Sequence, residues 1–199
     1  MRQKKNAGFS TLEMVITTLI LGLSLTLVAN GASAVQRIYR RTLAKADAQM
    51  IYSQIETNLR AELAFADKVT VDADKKVQTY EVGYQLCDLT LKNKDGADSG
   101  LLYVRYYDAK RDPVTKEIQY KDDGSIDYDT TTPYYYAISP KNRKRLEDLS
   151  IPDLPDIKYE NGYFTVSGLQ VEYDGQNMIA NADGTQFIIQ AANKIIASP

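Results

Sequence analysis

Residues 4–36 read KKNAGFSTLEMVITTLILGLSLTLVANGASAVQ, and this stretch decides the architecture. The 28 residues from Phe9 to Gln36 carry a single charge, Glu13, and Arg2, Lys4 and Lys5 stand in front of them. At ~1.5 Å of rise per residue such a helix spans ~42 Å, whereas the hydrocarbon core of a bilayer needs only ~20 residues. The run is long enough to cross a membrane. Its basic start predicts that the N-terminus stays cytoplasmic and that the remaining chain is exported.

Working outward, the helical pattern does not stop at Gln36. From Ile38 to Ala66 there is no Pro or Gly. Leu43, Met50, Ile51, Ile55, Leu59 and Leu63 recur at helical spacing, with Ala46 filling the gap, while Arg37, Arg40, Arg41, Lys45, Asp47, Glu56, Arg60 and Glu62 fall largely off that stripe. One helix from Phe9 to about Ala66 is expected, ~90 Å long. Residues 9–36 form an all-round apolar half and residues 37–66 an amphipathic half suited to lie on a sheet. Gly22 and Asn30-Gly31 are its weak points, since a helical Gly costs ~1 kcal/mol relative to Ala.

After Lys68 the period changes to that of strands. Lys68–Val71, Gln78–Tyr84, Leu86–Leu91, Leu101–Tyr107, Glu117–Tyr120, Tyr134–Ile138, Tyr163–Tyr173 and Gln186–Ala191 alternate or are rich in β-formers. Turn pairs separate them, most firmly Asn161-Gly162 and Asp174-Gly175, with Asp95-Gly96, Asp123-Gly124 and Asp183-Gly184 besides. Pro140 opens a short helix expected over 141–149, and Ile151–Asp156, with Pro152 and Pro155, reads as an extended connector. The expectation is an α+β chain: a long N-terminal helix packed on an antiparallel β-sheet body, residues 67–199.

Composition narrows the chemistry. The 199 residues contain no His and one Cys, with 24 Lys+Arg against 26 Asp+Glu. The missing His removes Ser-His and Cys-His nucleophile pairs and the commonest metal ligand. The lone Cys87 excludes an internal disulfide and a Cys-rich metal site held by this chain alone. It shares a strand face with Leu89 and Leu91 and reads as a small buried hydrophobe. The Asp-rich turns lack EF-hand spacing and read as solvated turn chemistry, so no metal or other cofactor is expected. Lys141-Asn142-Arg143-Lys144-Arg145 is the one basic cluster, with Arg143, Lys144 and Arg145 a candidate DNA or surface contact, although Glu147, Asp148, Asp153 and Asp156 follow at once. Eleven of the 15 Tyr lie between Tyr103 and Tyr173, as sheet core or as a surface for sugar or protein. Nothing here marks an enzyme.

Three explanations of the N-terminal segment compete. Ala32-Ser33-Ala34 is a small-residue pattern at which a signal peptide can be cut, leaving a secreted Tyr-rich binding module that starts at Val35. An uncleaved anchor is the second: its span begins at Met14, and Glu13 is merely its polar border. The first must accommodate an acid inside or just ahead of the apolar segment, and an acid at membrane depth costs ~2.5–3.5 kcal/mol on insertion scales; the second is viable because Met14–Gln36 is itself uncharged. The third rests on Lys4-Lys5-Asn6-Ala7-Gly8 followed by Phe9-Ser10-Thr11-Leu12-Glu13-Met14. This segment resembles the class III leader of the type IV prepilin and pseudopilin family: a short basic leader ending in Gly, then Phe, then Glu as the fifth residue after the cut, then an apolar helix.

The resemblance covers about the first 30 residues and implies the following. A prepilin peptidase removes residues 1–8, cutting between Gly8 and Phe9, and methylates the new N-terminus. The precursor sits in the cytoplasmic membrane as a single-pass protein with its body outside. A membrane assembly platform then draws it into an extracellular fibre, where other pilin subunits contact it through the N-terminal helix. Glu13 compensates the cationic amine of a neighbouring Phe9 and sets register. The expected function is that of a minor pilin of a type IV pilus, a structural subunit whose body is able to contact a sugar, a protein or DNA. The alternative within the family is a pseudopilin of a type II secretion or competence system. Many major pilins carry a Pro near Asn30, and many Gram-negative members close a C-terminal loop with a Cys pair; this chain has neither.

Overall fold

The long helix forms as α1, Thr11–Ala64, and runs without a break through Gly22 and Asn30-Gly31. The computed structural model describes residues 10–139, 148–179 and 186–198. The chain divides into two compact units at Leu43/Ala44.

In the unit that begins at Ala44, α1 buries Ala44, Asp47, Ala48, Ile51, Ile55, Leu59 and Leu63. Steps of three and four residues keep these on one face. The stripe differs from the expected one: Leu43 and Met50 are only half-buried, while Ala44 and Ala48 are buried. Ala46 is exposed, because it stands about 200° around the helix from Ala44. Asp47, three residues from Ala44 and four from Ile51, belongs to the stripe and is buried with it.

The strands are β1 (Lys68–Val71), β2 (Val77–Val82), β3 (Gln85–Lys92), β4 (Asp98–Asp108), β5 (Tyr134–Ala137), β6 (Leu149–Ser150), β7 (Asp156–Glu160), β8 (Tyr163–Ser167), β9 (Glu172–Tyr173), β10 (Gln176–Asn177), β11 (Phe187–Gln190) and β12 (Ile196–Ser198). They form one six-stranded sheet, β12-β1-β2-β3-β4-β5, and two three-stranded sheets, β11-β8-β7 and β10-β9-β6. The class is α+β, as expected. All neighbours are antiparallel except β12, which pairs parallel to β1.

Register places Val69, Tyr80, Cys87, Tyr106 and Tyr134 in one row across β1 to β5. The first four are buried in one apolar cluster with Ile55, Leu59 and Leu63 of α1 and with Phe164, Val166 and Ile189 of the second sheet. Full burial of each Leu or Ile is worth ~1.5–3 kcal/mol, so the amphipathic half of α1 is held chiefly by this seam. Two polar groups at this seam are paired: the Tyr106 hydroxyl donates to Glu62 Oε1 at 2.6 Å, and Asn58 Nδ2 donates to the Ile138 carbonyl at 2.8 Å; the buried Tyr80 hydroxyl has no hydrogen-bond partner among the described residues. Burial pushes the Cys87 thiol up to about 12, with Glu62 and Asp88 adding to the effect, so the residue is a neutral core group as expected.

Both hairpin candidates form. Asn161-Gly162 joins β7 to β8 with φ of 52° and 86°, and Asp174-Gly175 joins β9 to β10 with φ of 51° and 68°. Positive φ at both central residues matches the right-handed twist of the flanking strands. Other expectations are corrected. Glu117–Tyr120 is not a strand; it makes only single bridges, Arg111↔Ile118 and Tyr120↔Ile126, because tight turns at Asp112–Lys116 and Lys121–Gly124 leave no run to pair. The expected strand Tyr163–Tyr173 breaks after Ser167 at Gly168, where φ is 74°. The short helix expected over 141–149 falls on undescribed residues up to 147, and Leu149, its last residue, opens β6 instead.

The C-terminal segment is tied to the end of α1 and to the sheet without a disulfide. Ala192 N–H donates to the Ala64 carbonyl at 2.7 Å, satisfying one of the acceptors that a helix leaves open at its C-terminus. The Asp67 carboxylate accepts Asn193 Nδ2 at 3.0 Å and Gly83 N–H at 2.9 Å. One side chain thus joins the β1 entrance, the β2–β3 turn and the approach to β12.

Candidate assembly segment

From Thr11 to Leu43 every described residue is exposed or half-exposed, including Leu12, Leu19, Leu23, Leu27 and Val28. Leu27 is 72 % exposed. A helix apolar all round is stable in hydrocarbon or against other protein, not in water. By length and composition this helix is able to cross a membrane.

Several hydroxyls on the run are satisfied locally. Hydroxyls bond back one turn: Thr17 to the Glu13 carbonyl at 2.6 Å, Ser24 to Ile20 at 2.8 Å, Thr26 to Gly22 at 2.8 Å and Ser33 to Ala29 at 3.0 Å. Such pairing lowers the cost of placing a hydroxyl where no water can reach it.

Glu13 sits in the first turn of α1. Ser10 N–H donates to Glu13 Oε2 at 2.9 Å, and Glu13 N–H donates to Ser10 Oγ at 3.2 Å. This reciprocal pair is a capping box, which satisfies two donors that a helix start would otherwise leave open. An acid there also faces the positive end of the helix dipole. Ser10 is the residue that the sequence reading passed over. Its signal was present, since Ser-x-x-Glu ahead of an apolar run is the capping-box pattern. The carboxylate thus has a local partner in addition to any intermolecular one, and Oε1 takes no part in the box.

The other residues singled out from sequence, Gly8, Phe9, Arg143, Lys144 and Arg145, lie outside the described residues. Among the tyrosines of the body, Tyr80, Tyr103, Tyr106 and Tyr128 are buried, Tyr84, Tyr120, Tyr134, Tyr136 and Tyr163 are exposed, and Tyr107, Tyr135, Tyr159 and Tyr173 are half-buried. Tyr106 and Tyr134 stack at 4.9 Å, joining a buried ring to an exposed one. The arrangement supplies no aligned nucleophile and base among the described residues; it supplies an uncovered apolar helix with a capped acid at its start. Comparison of the chain with protein-family models, with curated proteins and with solved structures returns no match.

Proposed function

We propose that this chain is a minor pilin of a type IV pilus, acting by assembly and not by catalysis. The observation that carries this reading is a single helix with two different surfaces. Thr11–Leu43 has no buried residue, while Ala44–Leu63 is built into the core of the body. In the membrane, lipid covers the apolar half of the precursor. After removal of Met1–Gly8, the helices of neighbouring subunits take over that role in the fibre core. The new amine at Phe9 then lies in a dry environment, where an unpaired charge is costly, and Glu13 of a neighbour compensates it. The body faces outward.

N-terminal mass analysis of the protein taken from its native membrane tests this. A methylated Phe9 start is the expected result. A Val35 start indicates signal-peptide removal and a secreted module, and a Met1 start indicates an uncleaved anchor; either refutes the proposal. Antibodies against the body separate the two family alternatives. Decoration of long extracellular fibres fits a pilus, and signal confined to the cell envelope fits a pseudopilus.

A further inference from the structure

Between β4 and β5 the chain spends residues 109–133 on an excursion that contains only isolated bridges. It is nevertheless ordered by design. Lys110 N–H donates to the Asp127 carbonyl at 2.8 Å, Gln119 N–H to Lys110 at 2.9 Å and Asp127 N–H to Gln119 at 3.0 Å, so three short segments lie side by side. Asp112 Oδ1 accepts the N–H groups of Val114 and Thr115 at 2.8 Å each, closing one of the turns. A polar loop this long inside a compact body is commonly functional.

Together with the β2–β3 turn, the excursion walls a cleft of about 780 Å³. That lies within the ~300–1,000 Å³ of ordinary ligand sites. Its lining includes Tyr84, Gln85, Asp108, Arg111, Gln119 and Asp129. We infer that this cleft binds a neutral saccharide, an interaction independent of fibre assembly.

The choice of ligand class follows from the groups present. Asp108 and Asp129 oppose Lys110 and Arg111, so the cleft has no excess of one sign with which to select an ion. Lys110 Nζ is already held by Asp127 Oδ2 at 2.8 Å. Two carboxylates would repel a phosphate, and the polar lining does not suit a lipid or steroid. What remains is a set of flat hydrogen-bonding side chains: two carboxylates, two amides and a guanidinium. A carboxylate, an amide or a guanidinium presents two hydrogen-bonding atoms in one plane, a geometry that suits adjacent hydroxyls. Tyr84 adds an aromatic ring that is 56 % exposed, a platform for the C–H face of a pyranose.

Several of these groups are fixed before any ligand arrives. Gln85 Nε2 donates to Asp108 Oδ1 at 2.8 Å and to the Tyr134 hydroxyl at 2.6 Å, which leaves its carbonyl oxygen as an acceptor. Arg111 Nη1 donates to the Lys116 carbonyl at 3.2 Å, and Asp129 Oδ1 accepts Thr131 N–H at 2.9 Å. Ordering in advance lowers the entropic cost of binding.

The test titrates the full-length chain, in a detergent that is not a glycoside, with lactose, cellobiose and diacetylchitobiose to about 10 mM. Sialyllactose and inorganic phosphate are the charged probes, and binding is followed by calorimetry and saturation-transfer NMR. At least one neutral disaccharide should bind saturably. Tyr84→Ala, Asp108→Asn and Gln119→Ala should each weaken it by about tenfold, the loss of one well-placed contact. Gln119→Ala keeps the backbone hydrogen bonds that order the excursion, so its effect is not one of folding. Val114→Ala, on the same excursion but outside the cleft, should change nothing. No saturable binding of any neutral disaccharide, tighter binding of either charged probe, or unchanged affinity in all three cleft variants would each overturn the inference.

Discussion

Replacing Asp67 by Ala removes both side-chain contacts that tie the C-terminal segment to the β2–β3 turn, those to Asn193 and Gly83. A hydrogen bond to an ionised group is worth ~1.5–3 kcal/mol, but Asp67 is exposed, and solvent screening reduces each to about 1 kcal/mol. The pair therefore contributes about 2 kcal/mol, a factor of about 30 in a local opening equilibrium. The loss should stay local, because α1 and β1 to β5 keep their apolar seam. Beyond this clip, the three-residue β12 is held by its parallel pairing with β1 and by the Ala192–Ala64 hydrogen bond, so it is the element that should fray. Lys194 lies in the segment and is exposed, which makes it a reporter. Under mild trypsin treatment, release of the peptide Ile195–Pro199 should accelerate by about ten- to thirtyfold in Asp67→Ala, while cleavage elsewhere in the body and the global urea midpoint change little. Release at the wild-type rate would refute the idea that these hydrogen bonds hold the segment in place. So would equal acceleration at every site, which would indicate global unfolding.

Other expectations follow from the core and the helix. Burial raises Tyr80, Tyr106 and Tyr128 above the usual tyrosine range and Cys87 to about 12. All four are acids that the fold prefers neutral, and in the unfolded chain they ionise at about pH 8.5–10. Their contribution is fully present below that range and is lost as pH rises through it, so the urea midpoint should fall between pH 8.5 and 11; a constant midpoint contradicts the burial argument. By the same logic iodoacetamide at pH 8 should modify Cys87 only after unfolding. Leu59→Ala, at a fully buried seam position, should cost about 2–5 kcal/mol in urea unfolding, whereas Ala46→Ser on the exposed side should stay within about 0.5 kcal/mol. Glu13→Gln separates two roles, since glutamine still completes a capping box but carries no charge. Loss of fibre incorporation in Glu13→Gln, with helix content kept, supports charge compensation; normal incorporation means that capping alone is required.

The long helix was legible in advance because its cause is local. A chain with one charge in 28 residues, followed by apolar positions three and four apart, specifies both halves of α1 whatever packs on it. The two hairpins were legible for the same reason: Asn161-Gly162 and Asp174-Gly175 tolerate positive φ without help from elsewhere. Glu13 stood out as a lone acid in an apolar run, and its capping partner Ser10 was readable from spacing alone.

What the sequence did not reveal depends on contacts between distant residues. The parallel placement of β12 beside β1 brings Ile196 to Lys68 across most of the chain, and no local pattern encodes that pairing. Asp67 is an ordinary exposed acid until Asn193 and the β2–β3 turn arrive beside it. The division of tyrosines between core and surface is likewise tertiary. Tyr106 and Tyr134 are paired residues on neighbouring strands, yet one is buried under Glu62 and the other lies at the sheet edge. The cleft at Tyr84 and Asp108 exists only because a turn and an excursion far apart in sequence close on each other. Sequence by itself determined the elements set by near neighbours. Tertiary structure decided which polar groups meet, because that depends on how the sheets close around the helix.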